Sequence, residues 1–126
     1  MDASTGATTS MLEQILDAFN RHDADGVMSF FVDDCVFETP RGPSPFGRRL
    51  VGRDEVRAGV VARFTGIPDV HYGGDTHFVS GDRGVSEWTL TGTTTEGEQL
   101  ELRGCDLWTF RDGKVFRKDS YWKMVE

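Results

Sequence analysis

One carboxyl group interrupts an otherwise apolar strand face near the end of the chain. The stretch from Leu100 to Phe110 alternates with the period of two of a β-strand, so one face carries Leu100, Leu102, Gly104, Asp106, Trp108 and Phe110. An ionised aspartate without partners on a buried face costs several kcal/mol. Asp106 must therefore be protonated, paired, or open onto a cavity, and each state could serve acid/base chemistry. The alternative is a structural carboxylate with ordinary hydrogen bonds at the strand edge.

Length and charge limit the classes of protein to consider. The 126 residues fit one domain, with residues 1–10 as a disordered tail and residues 11–126 as the domain. A formal charge of -7 without a Lys/Arg cluster argues against nucleic acid or an anionic membrane as the partner. No apolar run is long enough to span a membrane.

The cysteines and histidines suggest neither a disulfide framework nor a metal site. Cys35 and Cys105 are two cysteines far apart in sequence, which favours a reduced, cytoplasmic setting. The three histidines lack partners at metal-ligand spacing. We therefore expect no metal and no other cofactor.

Helical patterns come first in the chain. Apolar residues recur at helical spacing from Met11 to Phe19 after Thr8, Thr9 or Ser10 as the N-cap, and Asp23 can cap a second short helix. A third helix, capped by Asp54, is expected before Pro68. The segment from Arg41 to Gly52 is rich in Pro and Gly and should be an irregular loop that rims a site.

Strand patterns dominate the second half. One strand is predicted from Cys35 to Thr39, and four longer ones from Val70 to Val79, Val85 to Thr95, Leu100 to Phe110 and Val115 to Met124. Short Gly- and Asp-rich turns separate the last four, which should form an antiparallel meander. Helices followed by strands predict an α+β domain.

This order of elements resembles the cone-shaped fold of the nuclear transport factor 2-like superfamily, a curved antiparallel sheet wrapped around N-terminal helices. Four short sequence segments are similar to those of SnoaL-like and ketosteroid-isomerase-like members. They are Asn20 to Asp25 between the first helices, Phe31 to Phe37 into the first strand, Gly92-Thr93, and Asp106 to Val115 at the last hairpin. The resemblance covers nearly the whole chain after Ser10. This superfold hosts isomerases, cyclases, hydrolases, dehydratases and binding modules.

The resemblance implies a role for Asp106. It falls where the steroid isomerases carry a protonated aspartic acid and where the SnoaL-like cyclases carry their acid/base residue. The partner residues differ, because the isomerase's general base corresponds to Thr39, its tyrosine roughly to Ile15, and the cyclase's histidine to Thr94. We expect the proton of Asp106, rather than its charge, to matter.

Glu87 is the second candidate catalytic residue. Apolar alternation alone turns Trp88 and Leu90 inward, whereas the family pattern turns Glu87 into the cone. We favour the family pattern, which places the carboxyl groups of Asp106 and Glu87 in one cavity. Their pKa values would then move apart, so that one group would act as the acid and the other as the base. Trp88 and Leu90 would then lie on the outer face of the sheet and form a homodimer interface with Leu107, Val115 and Tyr121.

The same register turns Phe116, Lys118, Ser120 and Trp122 of the last strand inward. It predicts an apolar pocket with Asp106 at its base and Ser120 beside it. The expected lining is Ile15, Phe19, Thr39, Phe64, Leu102, Trp108 and Trp122. The predicted function is capture of a small, largely apolar organic molecule, with cofactor-independent acid/base catalysis of the isomerase, cyclase or dehydratase type. The alternative is a ligand-binding or sensing domain of the same fold without turnover.

Overall fold

The N-terminal helices begin at side-chain caps. The computed structural model describes residues 6–126, so residues 1–5 of the expected tail lie outside the described residues. Helix α1, Thr9–Asn20, starts after Thr8, whose side chain accepts a 3.1 Å hydrogen bond from the Met11 N–H. Helix α2, Ala24–Met28, starts after Asp23, which accepts the Gly26 N–H at 2.9 Å. Of the three expected N-caps, Thr8 is the one observed, and Thr9 and Ser10 are the first residues of the helix.

The third helix begins without a side-chain cap. Helix α3 spans Arg53–Gly66, and its N-cap is Gly52, with φ of 89°. The prediction that Asp54 caps this helix is wrong. Asp54 lies in the first turn instead, where its carboxylate interacts favourably with the helix dipole.

Six strands form one curved, mixed sheet. Its strands are β1 (Phe31–Glu38), β2 (Arg49–Val51), β3 (His71–Ser80), β4 (Arg83–Thr93), β5 (Gln99–Arg111) and β6 (Lys114–Trp122), in the spatial order β2-β1-β6-β5-β4-β3. The predicted meander of β3 to β6 and the α+β class are confirmed. Two features were not predicted: β1 pairs with β6 in parallel, and β2 lies within the expected loop.

The large apolar side chains fill the interior between sheet and helices. Trp88 and Leu90 are almost fully buried, at 1% and 0% exposure, and so is Val115, which a register shift between Thr109 and Phe110 turns inward. The predicted dimer patch is therefore wrong for these three residues, because they belong to the core. Leu107 and Tyr121 remain on the outer face.

None of the helices within residues 6–126 is long and apolar enough to cross a membrane.

Candidate functional site

The site is built on three neighbouring strands. In the antiparallel register Asp106 on β5 lies opposite Ser86 on β4 and opposite Ser120 on β6. The predicted alternation of β5 is confirmed around this position, since Leu102, Asp106 and Trp108 are all buried. Strands β4 and β5 thus each deliver one polar side chain to the interior face, and β6 delivers two, Lys118 and Ser120.

Asp106 is paired. Its Oδ1 accepts hydrogen bonds from Lys118 Nζ at 2.9 Å and from Ser120 Oγ at 2.5 Å, and Lys118 Nζ also donates to Ser120 Oγ at 2.7 Å. Its Oδ2 accepts the indole N–H of Trp88 at 2.9 Å. Of the three states considered for this carboxyl group, pairing is the one observed. We call Asp106, Lys118, Ser120 and Trp88 the acid/base cluster.

Lys118 is the residue that sequence reasoning placed correctly but gave no role. The alternation of β6 turned it inward. A lysine on a mostly apolar face needs a negatively charged partner, and this need could have indicated its pairing with Asp106. Its ammonium nitrogen lies 4.3 Å from the ring centroid of Phe37 and 5.3 Å from that of Phe19. Burial lowers the pKa of Lys118, and the Asp106 carboxylate opposes this shift.

Glu87 does not reach the cluster. It is exposed on the opposite face of β4, paired across the ladder with Cys105, and its Oε1 accepts a hydrogen bond from Thr76 Oγ1 at 3.1 Å. The predicted inward orientation of Glu87 is wrong. The cost of exposing Trp88 and Leu90 decided the face of this strand, as apolar alternation alone indicates.

A second chain of hydrogen bonds, buried at Trp108 and Ser86 and exposed at Asp75, lies beside the cluster. The indole N–H of Trp108 donates to Ser86 Oγ at 2.9 Å, and Ser86 Oγ lies 2.7 Å from His77 Nδ1. His77 Nε2 lies 2.7 Å from Asp75 Oδ2. With its proton on Nε2, His77 donates to Asp75 and accepts from Ser86, so every group in the chain is satisfied. The chain fixes the orientation of Trp108, which forms part of the core.

The interior cavity is much smaller than the predicted pocket. It measures about 10 Å³, room for about one water molecule. Trp88 and Trp108 occupy the space in which an apolar ligand was expected. The lining is Phe19, Phe37, Pro40, Val60, Arg63, Tyr72, Trp88, Lys118, Ser120 and Trp122.

Only part of the predicted lining meets at this cavity. Phe19, Ser120 and Trp122 do so. Ile15 and Leu102 are core residues, and Phe64 stacks on His22 with ring centroids 4.7 Å apart. Thr39 lies in the open cleft described next. Arg63 and Tyr72 also line the cavity and were not predicted, because only Phe64 of α3 and no side chain of β3 was assigned to the pocket.

An open cleft of about 610 Å³ lies outside the cavity. The Pro/Gly loop forms one side through residues 40–47, and the end of β6 forms the other through Asp119, Ser120 and Tyr121. The loop therefore rims a concave surface, as its composition indicates. Pro40 and Ser120 line both the cleft and the cavity, so they form the partition between them.

Asp119 contributes a titratable group to the cleft. Partial burial raises its pKa above the ordinary 3.8, with the nearby Glu38 carboxylate acting in the same direction and Arg117 opposing both. The native state therefore binds this proton more tightly than the unfolded chain does. The resulting stabilisation is complete below pH 3.8 and is lost as pH rises through the folded pKa.

Asp119→Asn is expected to remove that pH dependence. The variant should gain stability relative to the wild type as pH rises from below 3.8 through the raised folded pKa, where the wild-type aspartate releases its proton. Urea unfolding of both proteins across this range measures the difference. Unfolding free energies that stay parallel over the whole range would contradict the assignment.

The cysteines and acidic residues do not form a reactive or metal-binding centre in the described chain. Within residues 6–126, no three His, Cys, Asp or Glu side chains lie close enough to hold a metal ion. Cys35 is buried, and this burial raises the pKa of its thiol, which disfavours the nucleophilic thiolate.

Comparison with known proteins decides the family. The model of the SnoaL-like domain matches residues 12–118. The chain belongs to the SnoaL-like family. The resemblance inferred from its sequence is thereby confirmed.

Solved structures similar to this SnoaL-like protein share its fold. A nuclear transport factor 2-like protein of unknown function from Burkholderia pseudomallei is 26% identical, with 95% of this chain and 92% of that chain covered and a TM-score of 0.81. A candidate polyketide cyclase from Xanthomonas campestris is 22% identical, with 91% and 89% covered and a TM-score of 0.78. TerC, co-crystallized with polyporic acid, is 21% identical, with 91% and 90% covered and a TM-score of 0.78. No curated protein matched the chain.

Proposed function

We propose that this SnoaL-like protein binds a small, largely apolar organic molecule inside the cone and moves a proton on it without a cofactor. The observation that carries the proposal is the acid/base cluster at the wall of the cavity, where Lys118 and Ser120 face the cavity and Asp106 holds both. Such a cluster gives nothing to a purely structural core, which gains more from apolar packing than from a buried ion pair.

The chemistry follows from the position of each group. A carbonyl oxygen in the cavity would lie near the Lys118 ammonium, which stabilises negative charge that develops on it. Ser120 connects the cavity to Asp106 through a single hydrogen bond and so provides a path for a proton. Enolisation of a carbonyl compound is the shared first step of the isomerase, cyclase and dehydratase types of reaction. Asp106 is the proposed acid/base residue, acting through this path.

A ligand needs more room than the closed cavity offers. Trp122 is half-buried at the end of β6, and the Arg63 guanidinium lies over its ring at 4.5 Å from the centroid. These two side chains lie at the C-terminal ends of β6 and α3, whereas Trp88 and Trp108 are held by hydrogen bonds. Entry therefore proceeds by displacement of Trp122 and Arg63 rather than by rearrangement of the core.

Binding without turnover is the second candidate function. The full pairing of Asp106 favours it, because a carboxyl group whose hydrogen bonds are all made within the protein has no free position for a reacting proton. The same assay decides between the two candidates.

The test is exchange of the α-protons of phenylacetone for deuterium in D2O, followed by NMR. The wild type should accelerate exchange above the buffer rate, and Asp106→Asn should lose about a hundredfold or more of that acceleration while its affinity stays within about tenfold. Asp33→Asn, at an exposed aspartate, is the matched control and should behave as the wild type. Binding seen by tryptophan fluorescence without any exchange by the wild type would favour the binding module.

The oligomeric state and setting complete the proposal. A homodimer through the outer face of the sheet is supported by exposed apolar side chains there, with Phe78 at 56% and Tyr121 at 54% exposure.

A cytoplasmic setting is supported by two free cysteines.

A further inference from the structure

The charged groups around the cavity are all of one sign. Arg63 and Lys118 line it, and no Asp or Glu is found among the lining residues of the described chain. The two cations face the same space, since both side chains line this one cavity. A ligand that enters the cavity therefore meets a positive surface.

The two cations differ in their compensation. Lys118 is neutralised by Asp106, which lies behind it at 2.9 Å. Arg63 forms no ion pair within residues 6–126; its guanidinium lies over the face of Trp122 and also interacts with the Tyr72 hydroxyl. The cavity thus holds one positive charge, that of Arg63, without a carboxylate partner. Beside it, Lys118 can contact a ligand while it remains paired with Asp106.

The remaining lining is aromatic. Phe19, Phe37, Tyr72, Trp88 and Trp122 supply ring faces and edges. Tyr72 keeps its hydroxyl hydrogen at any ordinary pH, since burial raises its pKa to about 12 against the opposing effect of Arg63. Rings around a cationic centre fit a flat, unsaturated ligand that carries a negative charge.

We infer that the ligand of this site is an aromatic or other planar unsaturated anion, a carboxylate or an enolate, whose charge is held by Arg63 with Lys118. The inference rests on the proposed function, because it specifies the ligand class of the same cone. A neutral ligand would leave the guanidinium uncompensated as the site closes, and a cationic ligand would meet two like charges.

Three probes of nearly equal shape separate charge from size. Benzoate is negative, benzamide neutral and benzamidinium positive, and each is a planar ring with one three-atom substituent. Binding is followed by calorimetry and by the indole N–H signal of Trp122 in ¹H–¹⁵N NMR spectra. Benzoate should bind at least about tenfold more tightly than benzamide, a difference of about 1.4 kcal/mol, and benzamidinium should bind most weakly.

Arg63→Gln should bring the affinity for benzoate close to that for benzamide. Arg57→Gln is the matched control, because it removes the same charge from the same helix at an exposed position where Arg57 pairs with Asp25. It should leave the preference for benzoate unchanged.

The possible failures have different meanings. Equal affinities for benzoate and benzamide would overturn the anion assignment and leave the proposed binding in the cone standing. A preference for benzoate that survives Arg63→Gln would place the charge recognition elsewhere and also overturn it. Absence of binding by all three probes, together with no α-proton exchange in phenylacetone, would remove the proposed function itself.

Discussion

Lys118→Met is expected to lower the free energy of unfolding by about 3–5 kcal/mol, the usual cost of removing one partner from a buried ion pair. Lys118 and Asp106 are both buried, at 5% and 2% exposure, so bulk solvent cannot reach Asp106 to compensate for the lost ammonium. The Asp106 carboxylate would keep two donors, Ser120 and Trp88, but no positive charge. Urea unfolding followed by tryptophan fluorescence measures the change.

The double variant Lys118→Met with Asp106→Asn separates charge from packing. Removing both charges should recover most of the lost stability, because a buried pair replaced as a whole is often close to neutral. Lys114→Met, at an exposed position at the start of the same strand, is the control and should change the free energy of unfolding by less than about 0.5 kcal/mol. A single variant as stable as this control would show that the ion pair contributes little to the fold.

Gly104→Ala is expected to destabilise the protein by about 1–3 kcal/mol, the usual range for an overpacked core. A Cβ at this position would lie 2.5 Å from two ring atoms of Trp88 and 2.6 Å from the backbone carbonyl oxygen of Tyr121. Trp88 cannot move without stretching its hydrogen bond to Asp106. The variant should therefore shift the NMR signal of the Trp88 indole N–H as well as the urea midpoint.

Gly66→Ala is the matched control for this prediction. Gly66 is the last residue of α3, and a Cβ there meets nothing within 4 Å. Alanine should be neutral or stabilise by up to about 1 kcal/mol through the unfolded chain. If both variants had the same stability, close packing of Trp88 on β5 would not be the reason for glycine at position 104.

Strand periodicity predicted the core of the site well. The alternation of β5 placed Asp106 among buried apolar residues, and the alternation of β6 placed Lys118 and Ser120 on the inner face. Both follow from the period of two, which needs only local sequence. The register that brings these three side chains within hydrogen-bonding distance depends on hairpin geometry. A bulge at Thr109/Phe110 shifts this register, and simple alternation does not predict it.

The face of β4 shows why the catalytic prediction went partly wrong. Two patterns disagreed about Glu87, and burial of Trp88 and Leu90 outweighed the family pattern. Trp88 also gains a hydrogen bond to Asp106, which local sequence cannot reveal because 18 residues separate the two. The size of the cavity was equally beyond reach, since it depends on how three tryptophans pack in space.

The position of β6 between β1 and β5 has a consequence for the order of folding. Asp106, Ser120 and Trp88 lie on consecutive strands of the meander, which can pair locally. Contacts between β1 and β6 join residues far apart in sequence, such as Glu38 and Arg117, which are separated by 79 positions. Contacts between residues so far apart in sequence form slowly, because the entropy cost of closing the long loop must be met before the contacts contribute any stabilisation. Phe37 of β1, whose ring faces the Lys118 ammonium, therefore reaches the lysine late. We expect Lys118 to keep its hydration shell through most of folding and to lose it only when β1 docks.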